Sequence, residues 1–251
     1  MVKIKTAKEL ELMREGGKIL AKIMKELTVL VRPGISAATL NKIAKELIFK
    51  NKAQPSFEGY QGFPATLCVS LNEEVVHGLP LVEKVLKEGD IVSLDLGIFY
   101  KGFHSDMAVT LPVGNVAPEI LRFLRVGKKA LKRALKVARP GKTLGDLGNT
   151  IQRYVESQGF QVIKDLCGHG IGRDLHEEPQ VLNYGKRRKG FELKEGMVIC
   201  IEPIISMGSG EIRKAADGFT YKTKDNSLSA HFEETVAVLR EGPEVFTPLP
   251  F

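Results

Sequence analysis

The sequence predicts an α+β fold made of two similar halves, and three observations carry that expectation. First, the triplet Arg32-Pro33-Gly34 returns 107 residues later as Arg139-Pro140-Gly141. Second, the same offset maps Lys87-Glu88-Gly89 onto Lys194-Glu195-Gly196 and IVSLDL onto VICIEP, which sets Asp95 on Glu202. Third, residues 89–111 read as two strands, about 91–99 and 104–111, joined at Lys101 and Gly102. Each carries one carboxylate, Asp95 or Asp106, among β-branched and apolar residues. Two anchors in register indicate an internal repeat. The halves, about 1–115 and 116–251, are expected to pack about a pseudo-twofold into one domain. Each would give a carboxylate-bearing strand to a shared central site.

The elements follow in order. Thr6 and Glu9 form a capping box before a helical stripe of Leu10, Met13, Leu20, Met24 and Leu27. Residues 31–34 break it, and Ser36 and Thr39 flank a second helix striped by Leu40, Ile43, Ala44, Leu47 and Ile48. Residues 53–64, rich in Gly, Pro and aromatics, read as a shaped loop. A strand over 65–71 and a turn at 72–74 lead to His77. Pro118 opens a helix to about 137, and a capped helix covers about 144–157. A strand near 160–164 precedes the glycine-rich CGHGIGRDLHEEP. Residues 180–195, with Lys186 to Lys189, read as an exposed basic loop, and 204–224 is turn-rich. The last long strand is expected over 229–239. The tail EGPEVFTPLPF is too rich in proline for a helix and is expected on the surface.

A hydrophobic fraction of 43% with 27% charged residues describes a soluble globular chain rather than a disordered or membrane-embedded one. No apolar run is long enough to span a bilayer, and the N-terminus lacks a signal peptide's apolar core, so a cytoplasmic location is expected. Cys68, Cys167 and Cys200 stand apart and form no CxxC pair, which argues against a disulfide scaffold or a zinc ribbon. The net charge of +7 favours acidic surfaces such as ribosomal RNA. The lysines are nevertheless spread over many helices without a nucleic-acid-binding signature, so no specific nucleic-acid function is expected.

Burying an unpaired carboxylate costs several kcal/mol, roughly, so Asp95 and Asp106 need a partner, and a metal ion is one. His77, Asp95, Asp106, His169, His176, Glu202 and one of Glu233 or Glu234 form the candidate constellation. Carboxylates with imidazole and no thiolate suit manganese, iron(II), cobalt or zinc. Three or four carboxylates exceed the usual set of a single catalytic zinc and fit two ions sharing bridging carboxylates. Strand alternation puts Glu233 on the face of His231 and Thr235, and Glu234 on that of Phe232 and Val236. The pattern alone does not choose between them.

HGLP at 77–80, the Asp95/Asp106 hairpin, GHGIGRDLHEEP at 168–179, IEP at 201–203 and FEET at 232–235 together resemble a type I methionine aminopeptidase of the bacterial kind. The resemblance runs from about residue 5 to 248. It implies the pita-bread (creatinase/aminopeptidase-like) fold, with two halves around a central curved antiparallel sheet. It implies five ligands for two divalent ions, Asp95, Asp106, His169, Glu202 and Glu233, with Asp106 and Glu233 bridging. A hydroxide between the ions would attack the first peptide bond and release initiator methionine when the second residue is small.

By the same resemblance Glu202 moves the proton, His176 steadies the oxyanion and His77 contacts the nitrogen side of the scissile bond. Phe57, Tyr60, Phe63, Cys68, His77 and Phe219 shape the methionine pocket. Phe57 replaces a cysteine and Phe219 a tryptophan of some relatives, which bears on pocket shape more than on reaction class. The chain lacks the extensions of other branches and the N-terminal domain of proline-specific peptidases, an alternative on the same fold. It is expected to act as a monomer on peptides and nascent chains, with transient ribosome association. A metal-free binding protein on this fold would have lost a ligand, whereas all five positions hold a competent residue.

Overall fold

The computed structural model describes residues 2–250. Helices α1 (Ala7–Leu30) and α2 (Ala37–Lys50) come first. Thr6 and Glu9 close a reciprocal capping box at α1, and Ser36 Oγ accepts the Thr39 N–H at α2. The buried face of α1 runs Met13, Gly16, Gly17, Leu20, Ile23, Met24 and Leu27, the three-and-four spacing of an amphipathic helix. Strands β1 (Gln54–Pro55), β2 (Leu67–Leu71) and β3 (Glu74–Val76) lead to the hairpin of β4 (Ile91–Tyr100) and β5 (Phe103–Pro112).

Helices α3 (Pro118–Leu135) and α4 (Leu144–Ser157) open the second half. Next come β6 (Gln161–Val162), β7 (Cys167–Gly170), β8 (Glu177–Leu182), β9 (Val198–Ile201) and β10 (Ile204–Ser206). The chain closes with β11 (Ile212–Lys214), β12 (Tyr221–Thr223), β13 (Ser229–His231), β14 (Glu233–Leu239) and β15 (Gly242–Val245).

A nine-stranded sheet runs β1-β4-β5-β14-β9-β7-β8, with β2 also on β4 and β15 also on β14. Two three-stranded sheets, β13-β10-β6 and β11-β12-β3, flank it. The fold is thus α+β with a large antiparallel sheet, as the sequence predicts. No helix among the described residues is long and apolar enough to cross a membrane.

Backbone hydrogen bonds recur at the 107-residue offset. Gly34 N–H donates to the Leu86 carbonyl and Gly141 N–H to that of Leu193. Ala37 donates to Lys84 as Leu144 does to Phe191, and Leu86 to Ile35 as Leu193 does to Lys142. The β-bridges Ser36 to Val85 and Thr143 to Glu192 follow the same spacing. Past β4 and β9 the offset lengthens: Gly89 donates to Val113, whereas Gly196 donates to Val238, a path 18 residues longer. The longer path contains the β11-β12 hairpin.

Three expectations need correction. The predicted strand over 229–239 is broken at Phe232, whose N–H turns to the Pro203 carbonyl and whose ring packs against Gly127 of α3. A Cβ at Gly127 would lie 2.6 Å from that ring, so the glycine makes room for it. The tail is more than a surface segment: β15 pairs with β14, and Phe246 is buried against Gly17 of α1, while its other described residues stay exposed or half-exposed apart from Thr247. Within the predicted basic loop, β8 extends to Leu182, and Asn183 and Leu193 are buried. Residues 186–190 remain exposed.

A buried ion pair fastens the N-terminus to the β7-β8 connection. Lys5 Nζ lies 2.5 Å from Glu177 Oε2, with side chains only 5% and 3% exposed. Burial pulls the Glu177 pKa upward, but the Lys5 hydrogen bond and charge, with the Asp174 N–H and Lys3, hold it below the ordinary value. Lys5→Met is expected to cost about 3 kcal/mol at pH 7, because it leaves a buried carboxylate short of its closest cation. The loss should shrink below pH 4, where Glu177 takes up a proton in the unfolded chain and then in the folded one. Denaturant melts at the two pH values check both signs.

Candidate metal centre and adjoining cavity

The sheet register carries the acidic residues to one place. Ala108 on β5 directly opposes Asp95 on β4 and, across its other edge, Glu233 on β14. Cys68 on β2 opposes Asp95 in turn. Asp106 lies two residues from Ala108 on the same face, opposite Gly97. On the far side Glu234 pairs with Ile201, so Glu202, the next residue after β9, comes beside Glu233. Gly170 pairs with Ile199, which brings His169 on β7 to the same row. Five neighbouring strands, β4, β5, β14, β9 and β7, thus each supply one metal-ligating type of side chain. At Gly97 the missing Cβ makes room for the Phe57 ring, 2.7 Å from where that atom would lie.

Asp95, Asp106 and Glu233 bring ligand atoms within 4.8 Å of one another, as do Glu202, His231 and Glu233, and also His169, Cys200 and Glu233. His169 Nε2 is 3.8 Å from Glu202 and 3.9 Å from Glu233. Its Nδ1 lies 2.9 Å from the Gly170 carbonyl, so Nδ1 carries the proton and Nε2 keeps a free lone pair toward the carboxylates. Asp95 Oδ1, Asp106 Oδ1 and Glu233 Oε1 are buried without a hydrogen-bond partner.

Burial drives the carboxylates toward their neutral forms, and their mutual repulsion adds to it. Burial first, then the neighbouring carboxylates, raise Asp95 and Glu233 well above the ordinary value. Burial alone does so for Glu202. Asp106 is pushed up to about 8 by burial and by Glu202. Four carboxylates this close cannot all ionise without positive charge among them. Orphaned oxygens, an imidazole lone pair and no available thiolate fit divalent ions of intermediate hardness. The Cys200 thiol is itself pushed well up by burial, then by Glu233 and Asp106.

Beside the row lies a cavity of about 340 Å³. Every residue that the resemblance names borders it: Phe57, Tyr60, Phe63, Cys68, His77, His176 and Phe219 with the five ligand-type residues. Tyr60 Oη is 3.0 Å from His176 Nδ1, and the His176 ring meets that of His169 edge-on at 4.3 Å. Phe63 and Phe219 meet edge-to-face at 5.6 Å. His77 holds a φ of 57°, in the left-handed region that residues other than glycine seldom adopt. Gly78 follows it so tightly that a Cβ would lie 2.3 Å from the Val69 carbonyl oxygen. Burial lowers His77 to about 4 and His169 to about 3, so both rings are neutral at pH 7.

Glu234 is buried as well, but it turns away from the row and accepts the Leu249 N–H at 2.7 Å. Sequence reasoning gave no role to His231, Lys214, Tyr221 or Leu175, which also line the cavity. Alternation with Glu233 was a signal for His231. Lys214 and Tyr221 sit on the β11-β12 hairpin and left no comparable signal.

Known proteins are similar to this chain in sequence and in fold. The profile of "Metallopeptidase family M24" matches residues 11–240. The methionine aminopeptidase of Clostridium perfringens is 46% identical over 247 residues, 98% of this chain and 99% of its own. That of Escherichia coli is 42% identical over 98% of this chain and 94% of its own. The crystal structure of the Thermotoga maritima methionine aminopeptidase superposes with a TM-score of 0.97 at 44% identity, covering 98% of this chain and 99% of that one. A prolidase from Pyrococcus furiosus, 24% identical, covers 98% of this chain and 65% of its own with a TM-score of 0.80, a likeness of fold alone. With a row of buried carboxylates and imidazole that forms a dinuclear metal site, this chain belongs to the M24 metallopeptidases of the pita-bread fold, in their type I methionine aminopeptidase branch.

Proposed function

We propose that this chain removes the N-terminal methionine of peptides and nascent proteins whose second residue is small, as one catalytic domain in which each half supplies carboxylates. The convergence of five ligand-type side chains, four on neighbouring strands and Glu202 just past a fifth, beside a cavity walled in part by Phe57, Phe63 and Phe219 carries the reading. Asp95, Asp106, His169, Glu202 and Glu233 would hold two divalent ions. The ions are drawn from cobalt, manganese, iron(II) and zinc, the set that suits carboxylate and imidazole donors. When bound, they supply a nucleophile at neutral pH and polarise the scissile carbonyl.

The protein's own groups do the rest. Glu202 accepts the proton of the attacking water and returns it to the leaving amine nitrogen. His176, oriented through Nδ1 by Tyr60, donates from Nε2 to the carbonyl oxygen as it gains charge. His77 contacts the nitrogen side of the scissile bond from its constrained backbone. Phe57, Tyr60, Phe63, Cys68 and Phe219 wall the methionine side chain and exclude water. The enzyme acts as a cytoplasmic monomer, binds neither membrane nor a specific nucleic acid, and associates transiently with the ribosome through its excess of positive charge.

The test is hydrolysis of Met-Ala-Ser and Leu-Ala-Ser by metal-stripped protein titrated separately with cobalt, manganese, anaerobic iron(II) and zinc. Methionine release that depends on metal and outpaces leucine release roughly tenfold or more is expected, and the series ranks the ions. No cleavage with any ion by folded protein would sink the reading.

A further inference from the structure

His231 is a buried imidazole with its side chain 3% exposed. Its backbone is clamped by Thr110 of β5, whose hydroxyl accepts the His231 N–H at 2.8 Å and donates to the His231 carbonyl at 2.8 Å. Ser93 Oγ lies 2.8 Å from the same hydroxyl. The ring is therefore held against the strand that carries Asp106. Its Nε2 lies 3.2 Å from Glu202 Oε2 and 3.6 Å from Glu233 Oε2. Neither ring nitrogen has an aligned hydrogen-bond partner, and the 3.2 Å approach of Nε2 to Glu202 is close but off the N–H axis. A polar group buried in that condition is costly unless its neighbours use it, and these two carboxylates are the neighbours within reach.

The comparison with His169 decides how it is used. Both imidazoles face the same pair of glutamates, but His169 gives its Nδ1 proton to the Gly170 carbonyl and so presents a bare Nε2. A metal-ligating histidine almost always has such an acceptor behind it. The His231 Nδ1 has none. A neutral ring protonated on Nε2 instead leaves only an acceptor unsatisfied and points its N–H at carboxylates that are anionic once ions are bound.

We propose that His231 is a positioning residue of the metal centre: with ions bound, the Glu202 and Glu233 carboxylates beside it come into line with its Nε2–H, which fixes which of their oxygens remain for the ions. This rests on the reading of Glu202 and Glu233 as ligands. Because Glu202 also moves the proton, the same bond sets the orientation of that group.

The test measures metal binding and needs no peptidase activity, so its failure is distinguishable from failure of the proposed reaction. Manganese(II) is titrated calorimetrically into metal-stripped wild type, His231→Gln, His231→Asn and His231→Leu. The Gln amide N–H can reach the carboxylates, whereas that of Asn is too short. Leu and Asn are expected to weaken manganese binding roughly 10- to 100-fold, with Gln recovering most of it. Asn serves as the polar control should Leu fail to fold. Wild-type affinity in folded Asn or Leu protein would overturn the proposal.

Proton NMR of the cobalt(II)-loaded protein separates a donor from a ligand. One strongly shifted exchangeable imidazole signal, from His169 and retained in the Asn variant, is expected. Two such signals in wild type, one of them lost in Asn, would make His231 a ligand and overturn the positioning role.

Discussion

Asp106→Asn is expected to stabilise the metal-stripped protein at alkaline pH while lowering turnover of the metal-loaded enzyme by roughly 10³-fold or more. The two effects have opposite signs because the same charge repels its neighbours and attracts the ions. Asp106 is held at about 8 by burial and by Glu202, against an ordinary value of 3.8. A group with a raised folded pKa contributes stability below its unfolded value, and that contribution is lost as pH rises through the folded one. Stripped wild type should therefore lose stability from about pH 4 up to pH 8, and Asn, which never ionises, should not.

Thermal melts of both stripped proteins at pH 6 and pH 9 check this, with the gap in favour of Asn widening at pH 9. Added ions should reverse the order, since only the aspartate meets their charge. Turnover falls because Asp106 would help hold the ions, whose charge stabilisation is worth several kcal/mol, roughly. A wild type that melts higher than Asn at pH 9 without metal would mean the carboxylates are screened by something other than ions. Metal uptake at pH 6.5 should also expel protons, fewer as pH rises past 8. Calorimetry in buffers of different ionisation enthalpy reads that number.

Gly168→Ala is expected to cost about 3 kcal/mol and to weaken metal binding with it. A Cβ at Gly168 would lie 2.3 Å from the Cys200 carbonyl oxygen and 3.2 Å from the Val181 Cβ. The first contact is with backbone, which cannot rotate aside. Strand β7 must then withdraw from β9, and His169, the next residue, withdraws from Glu202 and Glu233. Urea denaturation gives the stability and manganese titration the affinity. An Ala variant that keeps wild-type affinity would show that His169 does not depend on the close approach of these strands.

What could be read from the sequence alone was local or periodic. The capping boxes at Thr6/Glu9 and Thr143/Asp146 need only residues three apart, so helix starts are visible without a fold. The hairpin of β4 and β5 closes over a two-residue turn, and alternation puts Asp95 and Asp106 on one face of it. Each sits where an uncompensated charge would not be tolerated. His169 and His176 were marked by their glycine-rich setting, and the ordered set of short motifs pointed to the reaction.

Long-range packing decided the rest. Alternation treats the two faces of a strand alike, so it could not separate Glu233 from Glu234. Which one faces the row depends on β5 and β9 on either side and on Leu249, which returns from the tail to take Glu234. The strand break at Phe232 depends on Gly127 in a helix more than a hundred residues earlier. The tail reads as proline-rich and peripheral, yet Phe246 enters the core because Gly17 leaves a gap for it. His231 carried no motif beyond its alternation with Glu233, and its distances to Glu202 and Glu233 are what single it out. Local chemistry determined which residues could do the work, and contacts between residues far apart in the chain decided which of them meet.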